Sequence, residues 1–202
     1  MFEIFGHRAI LNGIENSVNS FSYYKKLEVG IELDLRLGEN GVYISHDPIN
    51  NGDLFEEVCK VCSKSNIKMA LHIKENNIVQ NAIELLNKYS INNYFLFNTE
   101  NFDFSKIKKN VKIAAYVNKK PENIDKNIFW CDEIQNKWYT KEIFSEIHRN
   151  NKIIYGMSLE VVQTCKEKEI ISEWKRLIDL GIDGICTKYP EKLLKYVKGD
   201  LN

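Results

Sequence analysis

The stretch Ile31-Glu32-Leu33-Asp34-Leu35-Arg36-Leu37 alternates apolar and polar side chains with a period of two, which predicts a β-strand. Apolar residues occupy one face of this strand, and the acidic side chains of Glu32 and Asp34 point together to the other. The turn Glu39-Asn40-Gly41 follows. Val42 to Ser45 then predicts a second short strand, in position to form a hairpin with the first.

Strands and helices alternate outward from this stretch along the whole chain. Besides the hairpin arm, eight strands are predicted, near residues 4, 33, 71, 95, 114, 130, 155 and 185. Helical patterns lie at 19–27, 54–63, 78–89, 102–109, 141–149, 170–180 and after Pro190. This alternation predicts an α/β protein with a parallel sheet, and eight units predict a small, single-domain (β/α)8 TIM barrel over residues 1–202. The alternative is an open doubly wound sheet, although no Gly-rich nucleotide-binding loop follows the first strand.

Length and charge limit the classes of function. The 202 residues are 44% hydrophobic and 28% charged, the balance of an ordinary globular domain. Basic and acidic residues number 28 each, and this zero net charge argues against nucleic acid or an anionic membrane as partner. No stretch approaches the roughly 20 apolar residues that cross a bilayer, and no signal-peptide pattern opens the sequence. The odd number of cysteines, five, predicts reduced thiols in a cytoplasmic protein.

The unusual polar residues fall where a TIM barrel carries its catalytic groups, at the carboxyl ends of the strands. They are His7 and Arg8 after the first strand, Glu32 and Asp34 in the second, His46 after the hairpin arm, His72 and Lys74 in the third, and Lys188 after the eighth. Buried carboxylates are costly unless they are paired or bound to a metal. One interpretation is a salt bridge to Arg8, Arg36 or Lys74. The convergence of so many such groups on one barrel mouth favours a catalytic site.

The chemistry of this set suits a phosphodiester. The carboxylate oxygens of Glu32 and Asp34 fit a hard divalent cation such as Mg²⁺ or Ca²⁺. That cation and the arginine and lysine side chains would neutralise the phosphate and the charge of its transition state. Two histidines can act as general base and general acid on opposite sides of phosphorus.

Four motifs between residues 5 and 47 resemble the glycerophosphodiester phosphodiesterase family. They are Gly6-His7-Arg8, Glu15-Asn16-Ser17, Glu32-Leu33-Asp34, and His46-Asp47 after the turn at Gly41. The family pattern reads His-Arg-Gly, Glu-Asn-Thr, Glu-x-Asp and His-Asp after a Gly turn, with the same order and spacing. Weaker likenesses at Leu71–Lys74 and Gly181–Pro190 extend the resemblance over nearly the whole chain.

The resemblance implies a TIM barrel that hydrolyses a glycerophosphodiester to glycerol 3-phosphate and an alcohol, as part of lipid metabolism. The implied roles are acid/base catalysis for His7 and His46, metal binding for Glu32 and Asp34, phosphate binding for Arg8 and Lys74, and orientation of Arg8 for Glu15. The partner is then a small-molecule phosphodiester, with no nucleic acid and no membrane insertion.

Departures from the family pattern bear on the metal and on the substrate. His72 stands where the family has a third carboxylate ligand. Because an imidazole nitrogen suits softer metals, Mn²⁺ and Zn²⁺ join Mg²⁺ and Ca²⁺ as ions that could bind here. Lys188 stands where the family has an aspartate, and adds a supporting positive charge at the barrel mouth. The segment between Asp47 and Leu54 is short, whereas many family members carry a longer insertion there, so we expect an open site.

Two alternatives to hydrolysis remain open. In a lyase, a substrate hydroxyl attacks phosphorus and leaves a cyclic phosphate, with the same acid/base pair. A related family of phospholipase-D-like toxins has a similar layout of these residues. A non-catalytic protein that binds a phosphate ligand is suggested by His72 and Lys188, although the presence of both His7 and His46 argues against it.

Overall fold

The computed structural model describes residues 2–99, 102–106, 111–121, 126–134 and 137–200. The strands of this described part are β1 Glu3–Gly6, β2 Gly30–Gly38, β3 Gly41–Ile44, β4 Asp53–Leu54, β5 Met69–Ile73, β6 Tyr94–Phe97, β7 Ala114–Val117, β8 Ile128–Cys131, β9 Ile153–Met157 and β10 Gly184–Thr187. Its α-helices are α1 Phe21–Leu27, α2 Phe55–Cys62, α3 Val79–Lys88, α4 Lys141–Arg149, α5 Leu159–Val162, α6 Glu167–Leu180 and α7 Pro190–Lys198. Short 3₁₀ turns lie at His7–Ala9, Val18–Ser20, Asn76–Ile78 and Phe104–Lys106.

The predicted elements are largely confirmed. Each of the eight predicted strand positions falls inside an observed strand, and the hairpin arm is β3. The strand β4 and the single turn α5 were not predicted, because two and four residues are too short to show a periodicity. The helix predicted at 102–109 begins as the 3₁₀ turn Phe104–Lys106, and residues 107–109 lie outside the described residues. No helix in the described part of the chain has the length and apolar character to cross a membrane.

The chain divides into two compact units, one of residues 6–112 and one of residues 1–5 with 113–202. In the unit of residues 6–112, β2 pairs antiparallel with β3, and β3 pairs antiparallel with β4. On its other edge β2 pairs parallel with β5, and β5 pairs parallel with β6. In the other unit β7, β8, β9 and β10 are parallel neighbours in that order, and β1 lies beside β10.

The alternating sequence of β2 gives the strand two unlike buried faces. Ile31, Leu33 and Leu35 are fully buried at 0% exposure. Burial of each such aliphatic side chain contributes about 1.5–3 kcal/mol, so this face anchors the strand. Glu32 and Asp34 lie on the opposite face and are also buried, at 2% and 1% exposure. The second face therefore forms a polar interior.

Aromatic packing and a helix cap organise the unit that contains β7 to β10. The Phe5 ring meets the rings of Trp130 and Tyr155 edge to face, at centroid distances of 5.3 and 5.0 Å. Trp130 is therefore a core residue. Helix α6 ends at Gly181, which adopts a left-handed conformation with φ 92°, as its sequence position predicts.

Candidate functional site

The end of β1 combines a closely packed glycine with an arginine in a left-handed conformation. A Cβ atom at Gly6 would lie 2.1 Å from Cε1 of Tyr24, so a glycine is needed for this ring to pack against the strand end. Arg8 then adopts a left-handed conformation with φ 50° and ψ 28°. This turn lets the Arg8 amide donate to Oε2 of Glu32 at 2.9 Å. Nε2 of the buried His7 lies 4.0 Å from the same oxygen.

Two neighbouring parallel strands bring a carboxylate, an imidazole and an amine together. Asp34 of β2 is paired in register with His72 of β5, and Lys74 directly follows the end of β5, two residues beyond His72. Nδ1 of His72 is 3.0 Å from Oδ1 of Asp34, and Nζ of Lys74 is 3.2 Å from that oxygen. The His72 ring stacks on Phe97 with centroids 4.6 Å apart, which fixes the plane of the imidazole.

Asp34 is the most strongly paired carboxylate of this group. Besides His72 and Lys74, its side chain is met by Nδ2 of Asn16 at 3.3 Å and by Nε of Arg8 at 3.4 Å. Burial opposes ionisation of Asp34. The hydrogen bond from His72 and the charges of Lys74 and Arg8 outweigh burial and hold the pKa of the carboxyl well below its usual range. Asp34 is therefore an anion at neutral pH.

Glu32 is in the opposite electrostatic state. Burial, followed by the negative charge of Asp34, raises the pKa of Glu32 well above its usual range. The hydrogen bond from the Arg8 amide and the charges of Arg8 and Lys74 lower this pKa only in part. Within the described residues, the one cation that reaches Glu32 at ion-pair distance is His7, at 4.0 Å and only when protonated. A bound cation at this place would favour the ionised form of Glu32.

Glu32, Asp34 and His72 fit a divalent metal ion. One ligand atom from each of them lies within 4.8 Å of the others. Burial, and then the charge of Lys74, lower the pKa of His72 against the hydrogen bond to Asp34. The imidazole is thus neutral at pH 7, the form in which histidine ligates a metal. With Nδ1 directed at Asp34, Nε2 can carry the free lone pair.

His46 lies beside an open cleft of about 370 Å³. The same cleft is lined by Arg8, Glu15 and Asn16. The His46 side chain is 40% exposed, and its Nδ1 lies 2.9 Å from Oδ1 of Asp47. Nη1 of Arg8 donates to Oε2 of Glu15 at 2.8 Å, so the guanidinium is held at the cleft wall. The cleft therefore presents an imidazole and a fixed guanidinium to the same space.

Asn16 and Phe97 shape this group although no role was predicted for them from sequence, and Arg36 binds a partner other than the carboxylates considered for it. Asn16 bonds Asp34 in both directions, since the Asp34 amide also donates to Oδ1 of Asn16 at 3.3 Å. Phe97 supports the His72 ring, and its place in an apolar strand gives no signal of that role. Arg36 was one of three possible salt-bridge partners of the strand carboxylates. Arg8 and Lys74 do reach Asp34, whereas Arg36 pairs with Glu75 at 2.7 Å. Only its i, i+2 spacing from Asp34 indicates that it shares their face.

Lys188 follows β10, in the unit that contains β7 to β10. Its side chain is partly buried, and its backbone amide donates to Oε1 of Glu160 at 3.0 Å. Buried Glu160 also accepts hydrogen bonds from the hydroxyl groups of Ser158 and Thr187. The carboxyl ends of β9 and β10 are thus joined by one hydrogen-bonded carboxylate.

The comparisons with known proteins find no match by sequence and several by structure. No protein-family model matches the sequence, and no curated protein matches it. A glycerophosphodiester phosphodiesterase from Parabacteroides distasonis matches in structure with a TM-score of 0.73 at 12% identity, over 98% of this chain and 97% of that one. A glycerophosphoryl diester phosphodiesterase from the same organism gives 0.74 at 15% identity, over 99% and 87%. The glycerophosphodiester phosphodiesterase of Thermotoga maritima gives 0.70 at 17% identity, over 97% and 98%.

A Ca²⁺-dependent phosphatidylinositol-specific phospholipase C from Streptomyces antibioticus is a more distant match. It gives a TM-score of 0.57 at 11% identity, over 96% of each chain. At these identities the likenesses concern the fold. They confirm the predicted TIM barrel in preference to the open doubly wound sheet. The resemblance to the glycerophosphodiester phosphodiesterase family that the motifs indicated is confirmed at the level of structure.

Proposed function

We propose that this protein is a metal-dependent phosphodiesterase that hydrolyses a glycerophosphodiester to glycerol 3-phosphate and an alcohol. The observation that carries the proposal is the cluster of buried Glu32 with the Asp34–His72 pair, close to a cleft lined by Arg8 and His46. The shared fold with three solved enzymes of this activity supports it. A cytoplasmic location belongs to the same proposal and is supported by the five free cysteines.

In this proposal Glu32, Asp34 and His72 hold one divalent ion. Mg²⁺ or Ca²⁺ suits the two carboxylates, and the imidazole adds Mn²⁺ and Zn²⁺ to the fitting ions. The Ca²⁺ dependence of the Streptomyces phospholipase is consistent with a cation in this fold. When bound, the ion supplies Lewis-acid neutralisation of the phosphate charge.

Arg8 and Lys74 bind the phosphate oxygens. Their cationic groups already lie close together, because both reach the Asp34 carboxylate, at 3.4 and 3.2 Å. Glu15 keeps the Arg8 guanidinium oriented through its bond at 2.8 Å. A phosphate held by these two cations has its negative charge partly compensated before the reaction begins. Lys188 is a supporting charge for the substrate.

His7 and His46 carry out the proton transfers. One imidazole takes a proton from water as the water oxygen forms its bond to phosphorus. The other gives a proton to the alcohol oxygen as the phosphorus–oxygen bond breaks. The two rings therefore exchange protonation states in one turnover, and proton exchange with solvent restores them.

The test is hydrolysis of sn-glycero-3-phosphocholine by EDTA-treated protein, supplied in turn with Mg²⁺, Ca²⁺, Mn²⁺ and Zn²⁺. Release of glycerol 3-phosphate should be lost on chelation and restored by one of these ions. His7→Ala and His46→Ala should each lower kcat by about two to four orders of magnitude. His148→Ala is the matched control, since His148 contacts Asp183 at 3.0 Å in the unit of residues 1–5 and 113–202. Near-full activity of His46→Ala would remove that residue from the mechanism.

Metal titration of His72 variants tests the ligand set. His72→Ala should weaken metal affinity more than it lowers kcat at saturating metal. His72→Glu should keep the site and shift its preference toward Mg²⁺ or Ca²⁺, because a carboxylate is a harder ligand than imidazole. Calorimetric titration of wild type and both variants measures the affinities. Equal affinities in all three would exclude His72 as a ligand.

The likeness to a phospholipase C, weaker at a TM-score of 0.57, is the reason to test a lyase as a second candidate. A lyase uses a substrate hydroxyl in place of water and forms a cyclic phosphate. Phosphorus NMR of the reaction separates the outcomes. A cyclic glycerophosphate establishes the lyase, glycerol 3-phosphate from the start establishes hydrolysis, and binding without turnover establishes a non-catalytic phosphate-binding protein.

A further inference from the structure

Arg36 connects two loops at the carboxyl ends of β3 and β5. Its Nε and Nη2 atoms both donate to the carbonyl oxygen of His46, at 3.0 and 2.8 Å. Its Nη1 atom donates to Oε1 of Glu75 at 2.7 Å. The second carboxylate oxygen of Glu75 accepts from the Leu37 amide at 2.9 Å, which returns the connection to β2. Every nitrogen of the guanidinium is therefore engaged.

We propose that Arg36 and Glu75 are positioning residues that hold His46 in its catalytic place. The inference rests on the proposed function, because it requires His46 to take part in proton transfer. The His46 side chain is 40% exposed, and its ring contacts the carboxylate of the adjacent Asp47 at 2.9 Å. Packing therefore constrains this ring weakly, and its position depends on where the backbone of His46 is held.

Glu75, at the other end of this connection, is next to Lys74, the residue proposed to bind phosphate. Glu75 directly follows Lys74, whose amine faces Asp34 at 3.2 Å. The Arg36–Glu75 pair thus ties the loop that carries an acid/base group to the loop that carries a phosphate-binding group. Relative placement of two such groups matters, since a misplacement of about 1 Å can slow a reaction about 100-fold.

The chemistry of the connection requires an arginine. A planar guanidinium can place two parallel N–H groups on one carbonyl oxygen and a third on a carboxylate. A lysine ammonium is a compact point charge that cannot reproduce this fork. Charge alone at position 36 should therefore fail to replace Arg36.

The experiment compares Arg36→Gln, Arg36→Lys and Glu75→Gln in hydrolysis of sn-glycero-3-phosphocholine, each at saturating concentration of the activating metal ion. We expect Arg36→Gln to lower kcat about 10- to 100-fold, with KM and metal affinity within about twofold of wild type. Arg36→Lys should show nearly the same loss. Glu75→Gln should show a smaller loss, because Arg36 still reaches the carbonyl oxygen. Arg149→Gln, at an exposed arginine of α4, is the matched control and should keep kcat.

Repeating the Arg36→Gln substitution in the His46→Ala variant separates this inference from the proposed function. In His46→Ala protein, Arg36→Gln should cause no further loss, because a positioning residue acts through the ring it positions. The same fold-loss in both backgrounds, an unchanged kcat in Arg36→Gln, or a change confined to KM would overturn the positioning role. Full activity of His46→Ala would instead overturn the proposed role of His46. If Arg36→Gln does not fold, Glu75→Gln provides the same comparison.

Discussion

Glu160→Ala should destabilise the protein strongly, because Glu160 satisfies several buried donors at once. Its carboxylate accepts hydrogen bonds from the Ser158 and Thr187 hydroxyl groups and from the Lys188 amide. Nε1 of Trp174 donates to Oγ of Ser158 at 2.7 Å, so this indole depends on the same network. Leaving one buried donor without an acceptor costs about 1–3 kcal/mol. For three donors with partial relief by water, we expect a loss of about 3–5 kcal/mol.

Urea unfolding followed by tryptophan fluorescence measures this loss. With an m value of about 2 kcal/mol/M, the midpoint should fall by about 2 M. Glu167→Ala is the matched control, because the Glu167 side chain is 63% exposed and forms a surface ion pair with Lys192. That control should change stability by less than about 0.5 kcal/mol. A loss below about 1 kcal/mol in Glu160→Ala, at an unchanged m value, would refute the view that this carboxylate organises the strand ends.

Two further predictions concern packing and pH. Gly6→Ala places a Cβ atom 2.1 Å from the fully buried Tyr24 ring, so we expect the free energy of unfolding to fall by about 1–3 kcal/mol. Thermal unfolding measures this loss, and an unchanged melting temperature would contradict the packing argument. Burial raises the pKa of Tyr139 well above its usual value. Above about pH 10 the unfolded state therefore releases a proton that the folded state keeps, and stability should fall as pH rises. Phenolate absorbance and urea midpoints between about pH 8 and 11 test this, and an unchanged midpoint would contradict it.

Much of the fold could be predicted from local sequence signals. The alternation of residues 31–37 is a property of a few consecutive side chains, and it predicts β2 with its two faces. The stop at Gly181 is equally local, because glycine is the residue that adopts a left-handed cap without strain. The strand β4 and the turn α5 escaped prediction, since elements of two and four residues carry no period. They form through contacts with neighbouring elements: β4 pairs with β3, and the Ser158 amide before α5 donates to the Cys186 carbonyl.

The composition of the candidate site also follows from sequence. The i, i+2 spacing of Glu32 and Asp34 places both carboxylates on one face, and the same spacing places His72 with Lys74. Their electrostatic states do not follow from sequence. The pKa of Asp34 is lowered and that of Glu32 is raised, although both lie in the same strand. The difference arises because the register with β5 brings donors to one carboxylate and leaves the other with an amide from the end of β1.

Arg36 shows where sequence information ends. Its place on β2 gives it the same face as Asp34, and on that basis it could neutralise a strand carboxylate. The structure directs it to Glu75 and to the carbonyl oxygen of His46, which are 39 and 10 residues away along the chain. A backbone carbonyl has no residue identity to signal its role. Which donor reaches that oxygen is decided by how two loops lie on the folded sheet, and that arrangement exists only in the tertiary structure.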